Sequence, residues 1–148
     1  MKIGIATDHN GVEQKRELIN YLKDLGYEVT DCSQNNTPTD DFPTYAKIVC
    51  ENVISKDVDF GILMCGTGIG MSIAANKIKG IRCAKVNTID EASLAREHND
   101  ANVLALNYKL PMEELKEITK IFLKTKFSFD ERHIRRISEI TEIEELNG

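Results

Sequence analysis

Phe60-Gly61-Ile62-Leu63-Met64-Cys65-Gly66-Thr67-Gly68-Ile69-Gly70-Met71-Ser72-Ile73-Ala74-Ala75-Asn76-Lys77 is the stretch on which the reading of the fold turns. An apolar run, 60–64, in a strand expected over 59–64, enters a turn with three glycines, and a helix-forming run follows over 71–77. A buried strand that feeds a helix through a short glycine-rich turn is the repeating unit of a parallel α/β sheet. The turn sets a thiol, Cys65, and a hydroxyl, Thr67, among Gly66, Gly68 and Gly70. Glycine admits positive φ and lets a ligand come close to peptide N–H groups. An oxygen anion can rest on such groups, and a thiol beside it can move a proton from carbon and leave an enolate there. The same turn also suits simple packing or a nucleotide, and a cysteine at a strand end also serves as a small buried hydrophobe.

The alternation continues on both sides. Upstream, a strand is expected over 2–6, a helix over 12–25 closed by Gly26, and a strand over 27–31. A polar stretch without period, 33–41, leads to a helix from Pro43 to about Ser55. Downstream, Gly80 precedes a strand over 81–86, then come a helix over 88–96, a strand over 102–106 and a helix over 111–124 opened by Pro111. Five alternations predict a mostly parallel five-stranded sheet with helices on both faces, and residues 1–148 read as one domain. Ligands of such sheets bind beyond the C-terminal strand ends. Asp8 and His9, Cys65 and Thr67, Asn87 and Thr88, and Lys109 fall at or just beyond those ends. A last charged helix, about 130–145, stands outside the alternation. Its apolar stripe of Ile134, Ile137, Ile140, Ile143 and Leu146 fits packing on a partner subunit or on its own domain.

Composition narrows the function classes. The chain has 148 residues, 41% hydrophobic and 29% charged, and a formal net charge of −5, which argues against a broad nucleic-acid surface but not against a small anionic ligand. No apolar stretch reaches the length of a membrane helix. The first residues enter a strand pattern too early for a signal peptide, so a cytoplasmic protein is expected. Cys32, Cys50, Cys65 and Cys83 match no zinc spacing, and four reduced thiols are expected, three of them for packing. His9, His98 and His133 each have polar neighbours, and no helical i, i+4 histidine pair exists to hold a metal. Arg132 and Arg136 share a helix face and either clamp one phosphate or pair with Glu131 and Glu139. A cysteine phosphatase would need arginine at position 71, where this chain has Met71.

Five patterns occur in order: Thr-Asp-His-Asn-Gly at 7–11, Cys-Gly-Thr-Gly-Ile-Gly at 65–70, Ala-Ala-Asn-Lys at 74–77, Arg-Glu-His-Asn-Asp-Ala-Asn at 96–102, and Arg-His-x-x-Arg at 132–136. Over its full length the chain resembles the type B ribose-5-phosphate isomerases, a family that also includes allose-6-phosphate and galactose-6-phosphate isomerases. The resemblance implies a three-layer α/β/α, Rossmann-like or flavodoxin-like fold. It implies a homodimer, often paired into a homotetramer, with active sites at the subunit interface, a sugar phosphate as substrate, and no metal or organic cofactor. The implied reaction is aldose–ketose interconversion through an enediolate. Cys65 matches the family's base, Thr67 the hydroxyl that assists it, and the backbone of Gly66, Gly68 and Gly70 the anion hole. His98 matches the residue that opens the sugar ring. Asp8 and Asn99 match contacts to sugar hydroxyls, and His9, Arg132 and Arg136 match phosphate contacts.

The chain departs from the family pattern in three places. Phe42 stands where Asp-Tyr-Pro has its tyrosine. Asn107-Tyr108-Lys109 replaces Gly-x-Arg, so Lys109 keeps the charge without the two-pronged grip of arginine. Asp130 and Glu131 replace a glycine pair and bring acids near the expected phosphate site. The preferred sugar, of five or six carbons, is therefore left open, and a non-catalytic binding module is the alternative from another class.

Overall fold

Strands and helices alternate through the computed structural model, which describes residues 1–148. They are β1 (Lys2–Thr7), α1 (Val12–Asp24), β2 (Glu28–Asp31), α2 (Phe42–Ile54), β3 (Phe60–Cys65), α3 (Ile69–Ala75), β4 (Cys83–Lys85), α4 (Ile89–Asn99), β5 (Val103–Asn107), α5 (Met112–Lys124) and α6 (Glu131–Asn147). One 3-10 turn, His9–Gly11, lies between β1 and α1. The strands form one sheet in the order β2-β1-β3-β5-β4, and every neighbouring pair is parallel. The last two strands are exchanged relative to the flavodoxin order. β5 pairs with β3 from Gly61↔Val103 to Cys65↔Asn107, and β4 is left at the edge.

Strand side chains alternate between the two faces, so each central strand contributes to two cores. Ile3, Ile5, Ile62, Met64, Leu104 and Leu106 pack under α1, α4 and α5, where Leu18, Leu22, Leu115 and Phe122 meet them. Ala6, Leu63, Cys65, Val103 and Ala105 face α2 and α3, against Ala46, Val49, Cys50, Met71 and Ala75. Phe122 is fully buried and meets the Phe60 ring edge-on, with centroids 5.8 Å apart. Burying a side chain of this size stabilises the fold by roughly 1.5–3 kcal/mol.

Some boundaries differ from expectation for local reasons. α3 starts at Ile69 rather than 71 because Gly68, at φ +80°, caps it in the left-handed region. β4 shrinks to Cys83–Lys85, and the Arg82 N–H donates to the Asn102 side chain (2.8 Å) instead of to the sheet. α4 runs on to Asn99 and stops at Asp100 (φ 46°), so His98 and Asn99 lie inside its last turn rather than beyond it. α6 keeps most of its apolar stripe in solvent: Ile143 is 60% and Leu146 85% exposed. The helix touches the rest of the chain through buried His133 and through Glu144, whose carboxylate accepts from the Gly80 N–H (2.8 Å). No helix is long and apolar enough to cross a membrane.

Candidate functional site

The C-terminal ends of β1, β3 and β5 meet at one edge of the sheet, where β1 and β3 lie side by side although two helices and a strand separate them in sequence. Such a switch in strand order leaves a crevice for a ligand. Thr7 ends β1 fully buried, and its hydroxyl donates to the Met64 carbonyl of β3 (3.1 Å). The chain then turns sharply. The Asp8 carboxylate accepts from the Asn10 N–H (3.0 Å), and Gly11 lies so close to β1 that a Cβ there would sit 2.2 Å from the Thr7 hydroxyl oxygen. This turn presents Asp8, His9 and Asn10 at the edge.

His9 is held by a residue from the polar stretch before α2. The Asp40 carboxylate accepts from the His9 backbone N–H (3.3 Å) and lies 3.1 Å from His9 Nδ1. It also accepts from the Asn36 amide (2.9 Å), the Thr37 N–H (3.1 Å) and the Tyr45 hydroxyl (3.0 Å). Burial alone would raise the Asp40 carboxyl, but these hydrogen bonds favour the charged form more strongly and bring it down to about 2. Asn36 in turn accepts from buried Lys15 (3.2 Å), whose ammonium also pairs with Asp31 (3.1 Å).

β3 ends on Cys65, which is 7% exposed, and the glycine-rich turn begins there. The Ile69 N–H donates to the Thr67 hydroxyl oxygen (3.1 Å). The N–H groups of Gly66, Thr67, Gly68 and Gly70 donate to nothing else in the chain. Together they line a cradle beside a thiol, of a kind that can receive an oxygen anion. A Cβ at Gly68 would lie 3.1 Å from the Leu106 carbonyl carbon and 3.3 Å from Lys85 Cγ, so glycine is needed there for space as well as for φ. Two aromatic rings flank the cradle: Phe42 over Gly70, and Tyr108 beside Gly66. Cys50 and Cys83 pack away from this turn, their thiols pushed up to about 12 by burial.

The other expected residues gather elsewhere. α4 runs back from β4 to the start of β5, so its last turn reaches the opposite edge of the sheet. The Arg82 side chain there donates to the Asn99 and Asp100 carbonyls (3.0 and 2.8 Å), and the Arg96 guanidinium lies 4.7 Å from the centroid of Phe60, the first residue of β3. The six residues of β3 put roughly 16 Å between that edge and Cys65. His98 stacks on His133, with centroids 4.4 Å apart, and the Ser128 hydroxyl lies 2.7 Å from His133 Nδ1. Arg132 and Arg136 are exposed and form no ion pair, so the alternative in which Glu131 and Glu139 pair with them is not seen.

One chain therefore brings together Asp8, His9, Cys65, Thr67 and the glycine cradle, with Lys109 exposed just beyond β5. It brings His98, Asn99, Arg132 and Arg136 together at the far edge. Sequence reasoning passed over Asp40, Tyr108 and Lys85. Asp40 sits in a stretch with no period, and its only signal is a position just ahead of the Phe42-Pro43 helix start. Tyr108 and Lys85 follow or end short strands and reach the cradle only once β4 and β5 are in place.

Comparison with known proteins adds to this geometry. A ribose/galactose isomerase family model matches residues 3–140. Ribose-5-phosphate isomerase B of Escherichia coli (strain K12) is 41% identical over 145 residues, covering 97% of each chain. The solved structure of ribose-5-phosphate isomerase B from Clostridium thermocellum superposes with a TM-score of 0.96 at 43% identity, covering 100% of both chains. That of ribose-5-phosphate isomerase B from Mycoplasma genitalium, with bound ribulose-5-phosphate, has a TM-score of 0.91 at 40% identity and covers 97% of this chain and 96% of that one.

Proposed function

Because the chain belongs to the ribose/galactose isomerase family and is a sugar-phosphate isomerase, we propose that it interconverts ribose 5-phosphate and ribulose 5-phosphate through an enediolate, with Cys65 as the base. The observation that carries this reading is the row of unused N–H groups at Gly66, Thr67, Gly68 and Gly70 beside the Cys65 thiol. In the open-chain aldose the proton on C2 is acidic because the adjacent carbonyl accepts the electron pair. The Cys65 thiolate removes it, the pair shifts toward the carbonyl oxygen, and the cradle stabilises the charge that develops. The thiol returns the proton to C1, the remaining hydroxyl proton passes between O2 and O1, and the ketose results. Thr67 helps hold the turn by accepting from the Ile69 N–H, and its hydroxyl assists the base in this reading. Family membership closes the alternative of a non-catalytic module.

Ring opening and phosphate binding need the residues at the far edge of the sheet. We infer that a second copy of the chain supplies His98, Asn99, Arg132 and Arg136 to each cradle, completing a site with Asp8 and His9. Two observations support this: a single chain separates the groups by roughly the length of β3, and Ile69 and Ile73 on α3 remain 52% and 59% exposed. A two-fold dimer would build two such sites at once. His98 then acts on the ring oxygen, and the unpaired Arg132 and Arg136 grip the phosphate with His9.

The deciding experiment is an isomerisation assay without added metal on ribose 5-phosphate, allose 6-phosphate and galactose 6-phosphate, with Cys65→Ala as control. Preference for ribose 5-phosphate, lost in the variant, is the expected result. Preference for a six-carbon sugar would keep the mechanism and assign Phe42 and Lys109 to specificity. Full turnover by Cys65→Ala would remove the thiol from the mechanism.

A further inference from the structure

We propose that Tyr108 is a further catalytic residue of this site, its hydroxyl donating a hydrogen bond to the substrate oxygen next to the carbon that Cys65 deprotonates. The inference rests on the reading of Cys65 as the base. It starts from where the chain puts the ring. Tyr108 follows Asn107, the residue in register with Cys65, and its N–H donates to the Cys65 carbonyl (3.3 Å). The backbone of Tyr108 is thus tied to the residue that carries the thiol.

The ring is then held between two turns. On one side is Gly11, where a Cβ would come within 2.8 Å of Tyr108 Cδ2. On the other is Gly66, the first residue of the cradle, where a Cβ would lie 3.6 Å from the phenol oxygen. Tyr108 is 8% exposed, so the phenol is fixed in place rather than swinging in solvent. Gly11 closes the β1 turn that carries Asp8 and Asn10, so the ring packs against that turn. The hydroxyl therefore lies between the part of the site that faces the sugar hydroxyls and the part that faces the reacting carbons.

Chemistry suits that place. Burial comes first among the causes that raise the Tyr108 phenol above its ordinary range. The Asp8 carboxylate and the Cys65 thiol add to it, and the Asn10 side chain works against it. The group accordingly stays an O–H donor at neutral pH. An enediolate has two oxygens, and the row of backbone N–H groups serves one of them. A fixed phenol on the Gly66 side gives the second oxygen a donor. The bond strengthens as charge moves onto the enediolate, so its loss falls on the chemical step. No proton leaves the phenol in this scheme, and the thiol still carries the proton between C2 and C1.

The test is Tyr108→Phe, which keeps the ring and removes only the hydroxyl, assayed on ribose 5-phosphate beside the unaltered protein and Cys65→Ala. Thermal stability and affinity for inorganic phosphate serve as controls. The expected result is a kcat lower by about 10- to 100-fold with KM within about twofold, and with Tm and phosphate affinity essentially unchanged. An unchanged kcat, or a loss confined to KM, overturns the proposal. So does a kcat loss matched by a collapse in Tm, which would make the hydroxyl structural. If Cys65→Ala is inactive while Tyr108→Phe is normal, the Tyr108 proposal alone falls. If Cys65→Ala keeps full turnover, both readings fall together.

Discussion

Asp40→Asn tests whether the carboxylate that holds His9 is charged and strongly favoured in the folded state. The Asp40 side chain is 7% exposed, accepts from four donors, the His9 N–H among them, and lies 3.1 Å from His9 Nδ1. Its carboxyl falls from 3.8 to about 2, with burial opposing and the hydrogen bonds from Asn36, His9, Tyr45 and Thr37 prevailing. That fall corresponds to about 2 kcal/mol of folding stability, and water at the shallow edge of the site trims it to about 1–2 kcal/mol. The sign follows from the direction. A carboxyl depressed on folding stabilises above its unfolded value, and the stabilisation disappears as pH falls toward the folded value. Urea unfolding of the two proteins from pH 6 down to pH 2.5 should therefore show their stability difference shrinking, with most of the change below about pH 4. The asparagine leaves some donors poorly matched at every pH, so the offset is not diagnostic and the slope is. A stability difference that stays flat over that range would refute the reasoning and leave Asp40 as a neutral spacer.

Mixing two variants tests the shared site. Cys65→Ala and His98→Asn should each be crippled alone. After joint refolding, random pairing makes half the dimers mixed with one intact site each, so about a quarter of the unaltered protein's activity should return; no recovery would put Cys65 and His98 in the same subunit's site. Gly68→Ala forces a side chain into the left-handed region and against the Leu106 carbonyl. It should cost about 1–3 kcal/mol in chemical denaturation and lower kcat by tilting the cradle; normal stability would mean that the turn adapts freely.

The elements were legible because their signals are local. Ile3 and Ile5, or Ile62 and Met64, alternate along one strand, and Pro43 and Pro111 mark helix starts through their own backbone chemistry. Strand order was not legible, since alternation of strands and helices looks the same whether β4 or β5 lies beside β3. For the site, the Cys65 turn was visible because strand, glycines and helix are contiguous. Asp40 was invisible because its value lies in what it meets across 31 residues, and the aperiodic stretch around it gives no hint of which side chain turns inward. The separation of His98 from Cys65 likewise depends on which end of α4 faces which edge, a matter of topology rather than composition.

The exchange of the last two strands also has a consequence for how the protein is made. On the ribosome, β1, β2 and β3 can assemble as they emerge. β4 then appears before β5, the only strand it pairs with. Roughly twenty residues separate the two, a wait on the order of a few seconds at ordinary translation rates. Through that interval the open flank of β3 is an unguarded seam with two claimants, the nascent β4 and any other extended chain nearby. Silent codon changes that slow translation across α4 should therefore lower the yield of soluble protein while leaving the finished molecule unchanged.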